Sequence, residues 1–137
     1  MEDNNLFEDA FLGNEPREVL NEDKVGNLFG SNKIVVIVRT SEGENIPHMH
    51  IEGLSEDEDI CVEIFRPVYF DHNDYHKGKF NSRELKEFVK FMGTLSKNSK
   101  YQGLTNWEVT KRLWLRNHGP LPDFIIDNGM PDYSKMK

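Results

Sequence analysis

Two histidines one residue apart, His48 and His50 in "NIPHMHIEG" (residues 45–53), are the residues whose types and spacing could do chemistry. On a strand, positions i and i+2 share a face about 6–7 Å apart, near enough for both imidazoles to reach one divalent ion such as zinc. Two ligands do not complete a site. The third candidates are Glu63, and Asp71, His72 or His76 in "DHNDYH" (residues 71–76), a stretch whose composition equally suits a turn-rich connection. Such a centre would be a metal-dependent hydrolase or nuclease. The plainer reading makes His48 and His50 semi-exposed sheet residues paired with Glu63, Glu52 or an aromatic ring, or a place where a ligand or partner is recognised.

A second group of residues suits anions. Lys77, Lys79, Arg83, Lys86 and Lys90 could meet phosphates, with Tyr69, Phe70 and Tyr75 nearby in sequence for stacking. Its plain alternative is a solvated helix face. Charge is strongly segregated along the chain. Residues 1–23 hold eight acids and one base, 41–75 ten acids and one base, and 76–118 ten bases and three acids, within a net charge of −7. That pattern fits either internal neutralisation or a basic surface for nucleic acid or an acidic partner, because local patches and not the total decide binding.

These residues need a frame. The 137 residues suit one domain. "KIVVIV" (33–38) is a β-branched run that reads as a strand covered on both faces. The chain turns through "TSEGEN" and returns as "IPHMHIE", where alternation puts Met49 and Ile51 on one face and His48, His50 and Glu52 on the other. After an acidic loop, "ICVEIF" offers Val62 and Ile64 to one face and Cys61, Glu63 and Phe65 to the opposite one. Matching the apolar faces gives a register that joins Ile51 to Val62 and Met49 to Ile64, and sets His50 opposite Glu63.

Two helices follow. Asn81 and Glu84 have the capping-box spacing ahead of the stripe Leu85, Phe88, Val89 and Met92, and Thr105 and Glu108 repeat that spacing before a second helix stopped by Gly119 and Pro120. The expected architecture is α+β: a small antiparallel sheet of about three or more strands packed against two C-terminal helices. The organisation expected is an acidic N-terminal arm over 1–30 with a short helix from Pro16, a single domain over 31–118, and an irregular Pro/Gly-rich tail over 119–137 anchored by "FII" (124–126).

Other classes are disfavoured. The acidic start and the lack of a long apolar run point to a cytoplasmic protein that engages no membrane. The single cysteine, Cys61, permits no intrachain disulfide and reads as a small buried apolar residue.

A strand, then Pro-His-x-His on the next, then a short apolar strand, a Gly-containing connection and two helices with a Trp near the end resembles the small bacterial proteins of domain-of-unknown-function family 4160. The matching pieces are "KIVVIVR", "IPHMHIE", "ICVEI", "KGKFNSRELKEFVKFM" and "WEVTKRLWLRNHG", spanning about residues 33–118. Ile46 stands where the family often has a first Pro, and the acidic arm and Pro-rich tail are additional. The resemblance implies a compact α+β module of the kind found in toxin–antitoxin pairs, with no activity attached. "HMHIE" is also similar to the alternating pattern of histidine-triad nucleotide hydrolases, but Glu52 occupies the third histidine position and no Gly-rich phosphate loop accompanies it.

The function expected from all this is a non-catalytic interaction module that binds a partner protein or nucleic acid in a bacterial or mobile-element regulatory or defence setting. Its candidate contacts are His48, His50, Glu63, His72, His76, Lys86 and Lys90, and it needs no cofactor. The alternative is the metal-dependent hydrolase, with zinc or a similar divalent ion on His48, His50 and Glu63.

Overall fold

The computed structural model describes residues 22–39, 46–54, 59–70, 78–119 and 129–136. Four antiparallel strands lie side by side in chain order: β1 (Glu22–Asn27), β2 (Val35–Arg39), β3 (His48–Glu52) and β4 (Ile60–Glu63). They are followed by α1 (Ser82–Met92) and α2 (Asn106–His118). The fold is the α+β class expected from sequence, with four strands in the sheet.

The sheet begins earlier than expected. Residues 22–27, "EDKVGN", lie in the stretch read as arm and short helix, yet they pair with β2 from Glu22↔Arg39 to Asn27↔Val35. The strand has one large apolar residue, Val25. An irregularity between Lys24 and Gly26 leaves Val25 outside the paired register, and Val25 is buried in the core. Pairing with a strong neighbouring strand, not intrinsic preference, makes this segment β. Helix α1 also comes very close here, since a Cβ built on Gly26 would lie 2.8 Å from Phe91 Cζ. The residues around Pro16 lie outside the described residues, as do 71–77 and "FII".

The β3–β4 register also differs from expectation. The pairs are His48↔Glu63, Met49↔Val62, His50↔Cys61 and Ile51↔Ile60, two residues away from the match of Ile51 with Val62. Alternation fixes only the parity of a register, so a two-residue shift keeps every side chain on its face and changes every partner. The pairing continues beyond the strand end, where the Ile64 N–H donates to the Pro47 carbonyl at 3.0 Å. On the β2 side, Gly53 turns the chain directly after β3 with φ +99, and a Cβ there would fall 1.9 Å from the Lys33 carbonyl oxygen.

One sheet face carries Val36, Val38, Met49, Ile51 and Val62 into a core with Phe88, Met92, Val109 and Leu113. The other face carries Ile37, His48, His50, Cys61 and Glu63, and these are buried too. The reading of β2 as covered on both faces therefore describes β3 and β4 as well. His48 and His50, expected to be semi-exposed, have relative exposures of 0% and 1%.

The helices start as their sequences specify. Asn81 accepts from the Glu84 N–H at 2.8 Å while Glu84 accepts from the Asn81 N–H at 2.9 Å, closing the capping box of α1. Thr105 accepts from the Glu108 N–H at the start of α2, and Gly119 closes that helix with φ 85. Two donors meet at the end of β4. Trp107 Nε1 of α2 and the Tyr133 hydroxyl donate to the Ile64 carbonyl at 2.9 and 2.6 Å. Tyr133 belongs to a 3₁₀ turn, Tyr133–Lys135, inside the segment read as irregular tail, and both it and Met136 are buried in the core.

Candidate functional site

The histidine face is built by β3 and β4. His48 Nδ1 lies 2.8 Å from the Ile46 carbonyl, which can only accept, so Nδ1 carries a proton and donates it there. The ring stacks on Phe70 with centroids 4.1 Å apart and an interplanar angle of 14°, and it lies 5.3 Å from the Trp114 indole. Trp114 in turn stacks on His118, whose Nε2 is 2.9 Å from the Arg39 carbonyl at the same end of the sheet. The His50 ring is 5.2 Å from that of His48, and its Nδ1 is 3.3 Å from Cys61 Sγ.

The register brings His50 to Cys61, not to Glu63. Glu63 pairs across from His48 and is gripped by Arg66, whose Nε and Nη2 donate to its two oxygens at 2.6 and 2.7 Å. That contact, through its hydrogen bonds first and its charge second, holds the Arg66 guanidinium above its ordinary pKa. Of the three residues expected to share a metal, the structure thus places all on one face but gives Glu63 a different partner. Among the described residues no group of three or more His, Cys, Asp or Glu is arranged to hold a metal ion. His72 and His76 lie outside the described residues.

A second candidate surface forms where α1 passes the β1–β2 turn. Phe88 and Met92 face the core, while Arg83, Lys86 and Lys90 are exposed on the outside of the helix. Seven residues separate the first and last, so the three bases line up over about 10 Å. The turn supplies the neighbouring wall. Phe29 has φ 56, an unusual conformation for a bulky side chain, and its N–H donates to Glu87 Oε2 at 3.3 Å. The Arg83 guanidinium sits 5.1 Å from the centroid of the Phe29 ring.

Two shallow hollows open on this surface. One, of about 510 Å³, is lined by Phe29, Ser82, Arg83, Lys86, Glu87 and Lys90. The other, of about 430 Å³, shares Glu87 and Lys90 and continues past Asn32, Leu95, Lys97 and Asn106. Among the described residues, none of Arg83, Lys86, Lys90 and Lys97 forms an ion pair, in contrast to Arg66, Arg116 and Arg39.

Lys86 and Lys90 therefore stand together as the sequence suggests, but the aromatic beside them is different. Phe70 is turned inward onto His48, and Tyr69 accepts from the Phe80 N–H with Lys79 near its ring. Lys77 and Tyr75 lie outside the described residues. Phe29, Glu87 and Lys97 complete the surface. Phe29 had one readable signal, an aromatic followed by Gly in a polar turn, "LFGSN", ahead of a strong strand.

The chain matches no family model, and no curated protein or solved structure is significantly similar to it. The likeness to the Pro-His-x-His family rests on the motifs in the sequence. No helix among the described residues is long and apolar enough to cross a membrane.

Proposed function

We propose that this protein is a non-catalytic interaction module that holds an anionic partner, a nucleic acid or an acidic protein, on the outer face of α1. The observation that carries the reading is the alignment of Arg83, Lys86 and Lys90, exposed and without ion pairs among the described residues, beside the hollow under Phe29. Surface lysines and arginines normally gain little from pairing with one another's neighbours, so an unneutralised row costs the fold little and is available to a ligand. The resemblance noted above adds a bacterial or mobile-element regulatory setting to this proposal.

Retention on immobilised heparin tests it, because a chain of net charge −7 has no general reason to bind a polyanion. The wild-type protein is retained at low salt, and Lys86→Glu with Lys90→Glu abolishes retention. Passage of the wild-type protein straight through the column would remove the proposal.

One observation favours a second reading, the metal-dependent hydrolase: the His48 and His50 rings lie 5.2 Å apart on one sheet face. A hydrolase needs a third ligand and an open position for water, and the described residues supply no such group of three. Elemental analysis of untagged protein finding one zinc per chain, lost in His50→Ala, would support it. Metal far below stoichiometry would sink it.

A further inference from the structure

Resting on the reading of α1 as an anion-binding face, we infer that the ligand of this surface is single-stranded nucleic acid. One nucleotide stacks on the Phe29–Arg83 pair, and its neighbours' phosphates reach Lys86, Lys90 and Lys97.

Three features select this ligand. The first is the platform. A guanidinium held over an aromatic ring presents an outer face of the kind on which bases stack, and Arg83 is exposed above Phe29. Phe29 is kept in place by its own hydrogen bond to Glu87, despite a backbone conformation that bulky residues avoid, and conformations of that kind persist where the surroundings enforce them.

The second feature is the distribution of cations. Lys86, Lys90 and Lys97 line two hollows joined at Lys90, so positive charge follows a path and is not gathered at one point. A strand with one charge per nucleotide matches a path of that kind, whereas a single phosphate or carboxylate would use one end of it. Glu87 sits where the two hollows meet. Its carboxylate can accept from a base amino group, a contact that an acidic side chain in its ionised form cannot make.

The third feature is shape. Helix α1 has the β1–β2 turn against its exposed flank through Phe29 and Glu87, so it does not stand clear enough to enter a duplex major groove as a recognition helix does. A flexible single strand can follow the shallow hollows.

The test is fluorescence anisotropy with the full chain and three probes: a fluorescein-labelled 15-nucleotide oligo(dT), a labelled DNA hairpin duplex, and labelled poly-glutamate. Oligo(dT) is expected to bind more tightly than either competitor at 50 mM salt. With three phosphates engaged and a slope of about −0.7 per phosphate for single strands, affinity should fall roughly 20-fold between 50 and 200 mM salt. Lys86→Glu with Lys90→Glu should weaken oligo(dT) by at least tenfold. Arg83→Lys, which keeps the charge and removes the flat face, should weaken it about three- to tenfold while leaving poly-glutamate unchanged. Lys24→Glu, exposed on β1 at the position paired with Ile37, makes the same kind of charge change away from the proposed path and should have less than a threefold effect. Circular dichroism of each variant confirms that it is folded.

Tighter binding of the duplex or of poly-glutamate, dependent on Lys86 and Lys90, overturns the single-strand assignment and leaves the anion-binding reading intact. Failure of all three probes to bind overturns both. Equal losses from Arg83→Lys on oligo(dT) and poly-glutamate would remove the stacking platform from the proposal.

Discussion

Replacement of His48 discriminates sharply between a histidine displayed for chemistry and one built into the core. An exposed sheet residue away from special features costs within about 0.5 kcal/mol when truncated. His48 is fully buried, stacked on Phe70, close to Trp114 and hydrogen-bonded to the Ile46 carbonyl. His48→Ala therefore removes a ring from a packed site. Burial of a comparable aromatic ring is worth about 3–5 kcal/mol on truncation, and the imidazole is smaller, so about 2–4 kcal/mol is expected. His48→Phe keeps the stack and loses the hydrogen bond, for a cost of about 1 kcal/mol. Urea unfolding followed by tryptophan fluorescence reads both. At a slope of roughly 2 kcal/mol/M, the Ala variant should lose about 1–2 M of midpoint and the Phe variant about 0.5 M. An Ala variant within 0.3 M of wild type, or a Phe variant no better than Ala, would refute the packing argument.

Gly53→Ala should be costlier than its size suggests. A positive φ and a Cβ within 1.9 Å of the Lys33 backbone oxygen leave no side chain to yield, so about 3 kcal/mol or more is expected, measured by the same unfolding curve. Tyr133→Phe should cost only about 1 kcal/mol, because the Ile64 carbonyl that loses its hydroxyl keeps the Trp107 donor. Burial pushes the Tyr133 phenol far above its ordinary value near 10. Its neutral form is the one the fold prefers, so this contribution is complete below pH ~10 and fades as pH rises beyond it. Spectrophotometric titration should show one tyrosine that ionises only together with alkaline unfolding, and that step should vanish in Tyr133→Phe.

Local signals made the helices readable. Asn81, Glu84, Thr105 and Gly119 act through contacts within a few residues, so their spacing carries nearly all the information. The parity of β3 and β4 was readable for the same reason, since alternation is local. The register was not, because it depends on contacts across the sheet such as Ile64 meeting Pro47. β1 was hidden by its composition, and Tyr133 by a Pro- and Gly-rich context that obscures a single docking residue. At the candidate site, Lys86 and Lys90 could be read from charge. Phe29 could not be joined to them, because 53 positions or more separate it from α1 and only the folded chain brings them together.

The net charge of −7 and the basic face of α1 are compatible because the fold sorts charge by location. On the sheet face of His48 and His50, Glu63 is bound by Arg66, and Glu52 and Asp59 lie at 2.8 and 3.5 Å from Arg39. At the far end of α2, Asp23 is bound by Arg116 and by Asn117. Acids near the described core are thus matched with arginine, whose planar fork suits a carboxylate, while lysines dominate the outside of α1. At physiological salt, fields between exposed charges fade over about 8 Å, so acids beyond that distance do little to cancel Arg83, Lys86 and Lys90 at contact. They do oppose the long-range approach of an anion. The expected consequence is kinetic. Binding to this face should show a slow, weakly steered association whose affinity resides in the dissociation rate, and Lys86→Glu with Lys90→Glu should raise that rate far more than it lowers association. Stopped-flow measurements in which the variant changed association alone would show that long-range attraction, and not contact at α1, holds the ligand.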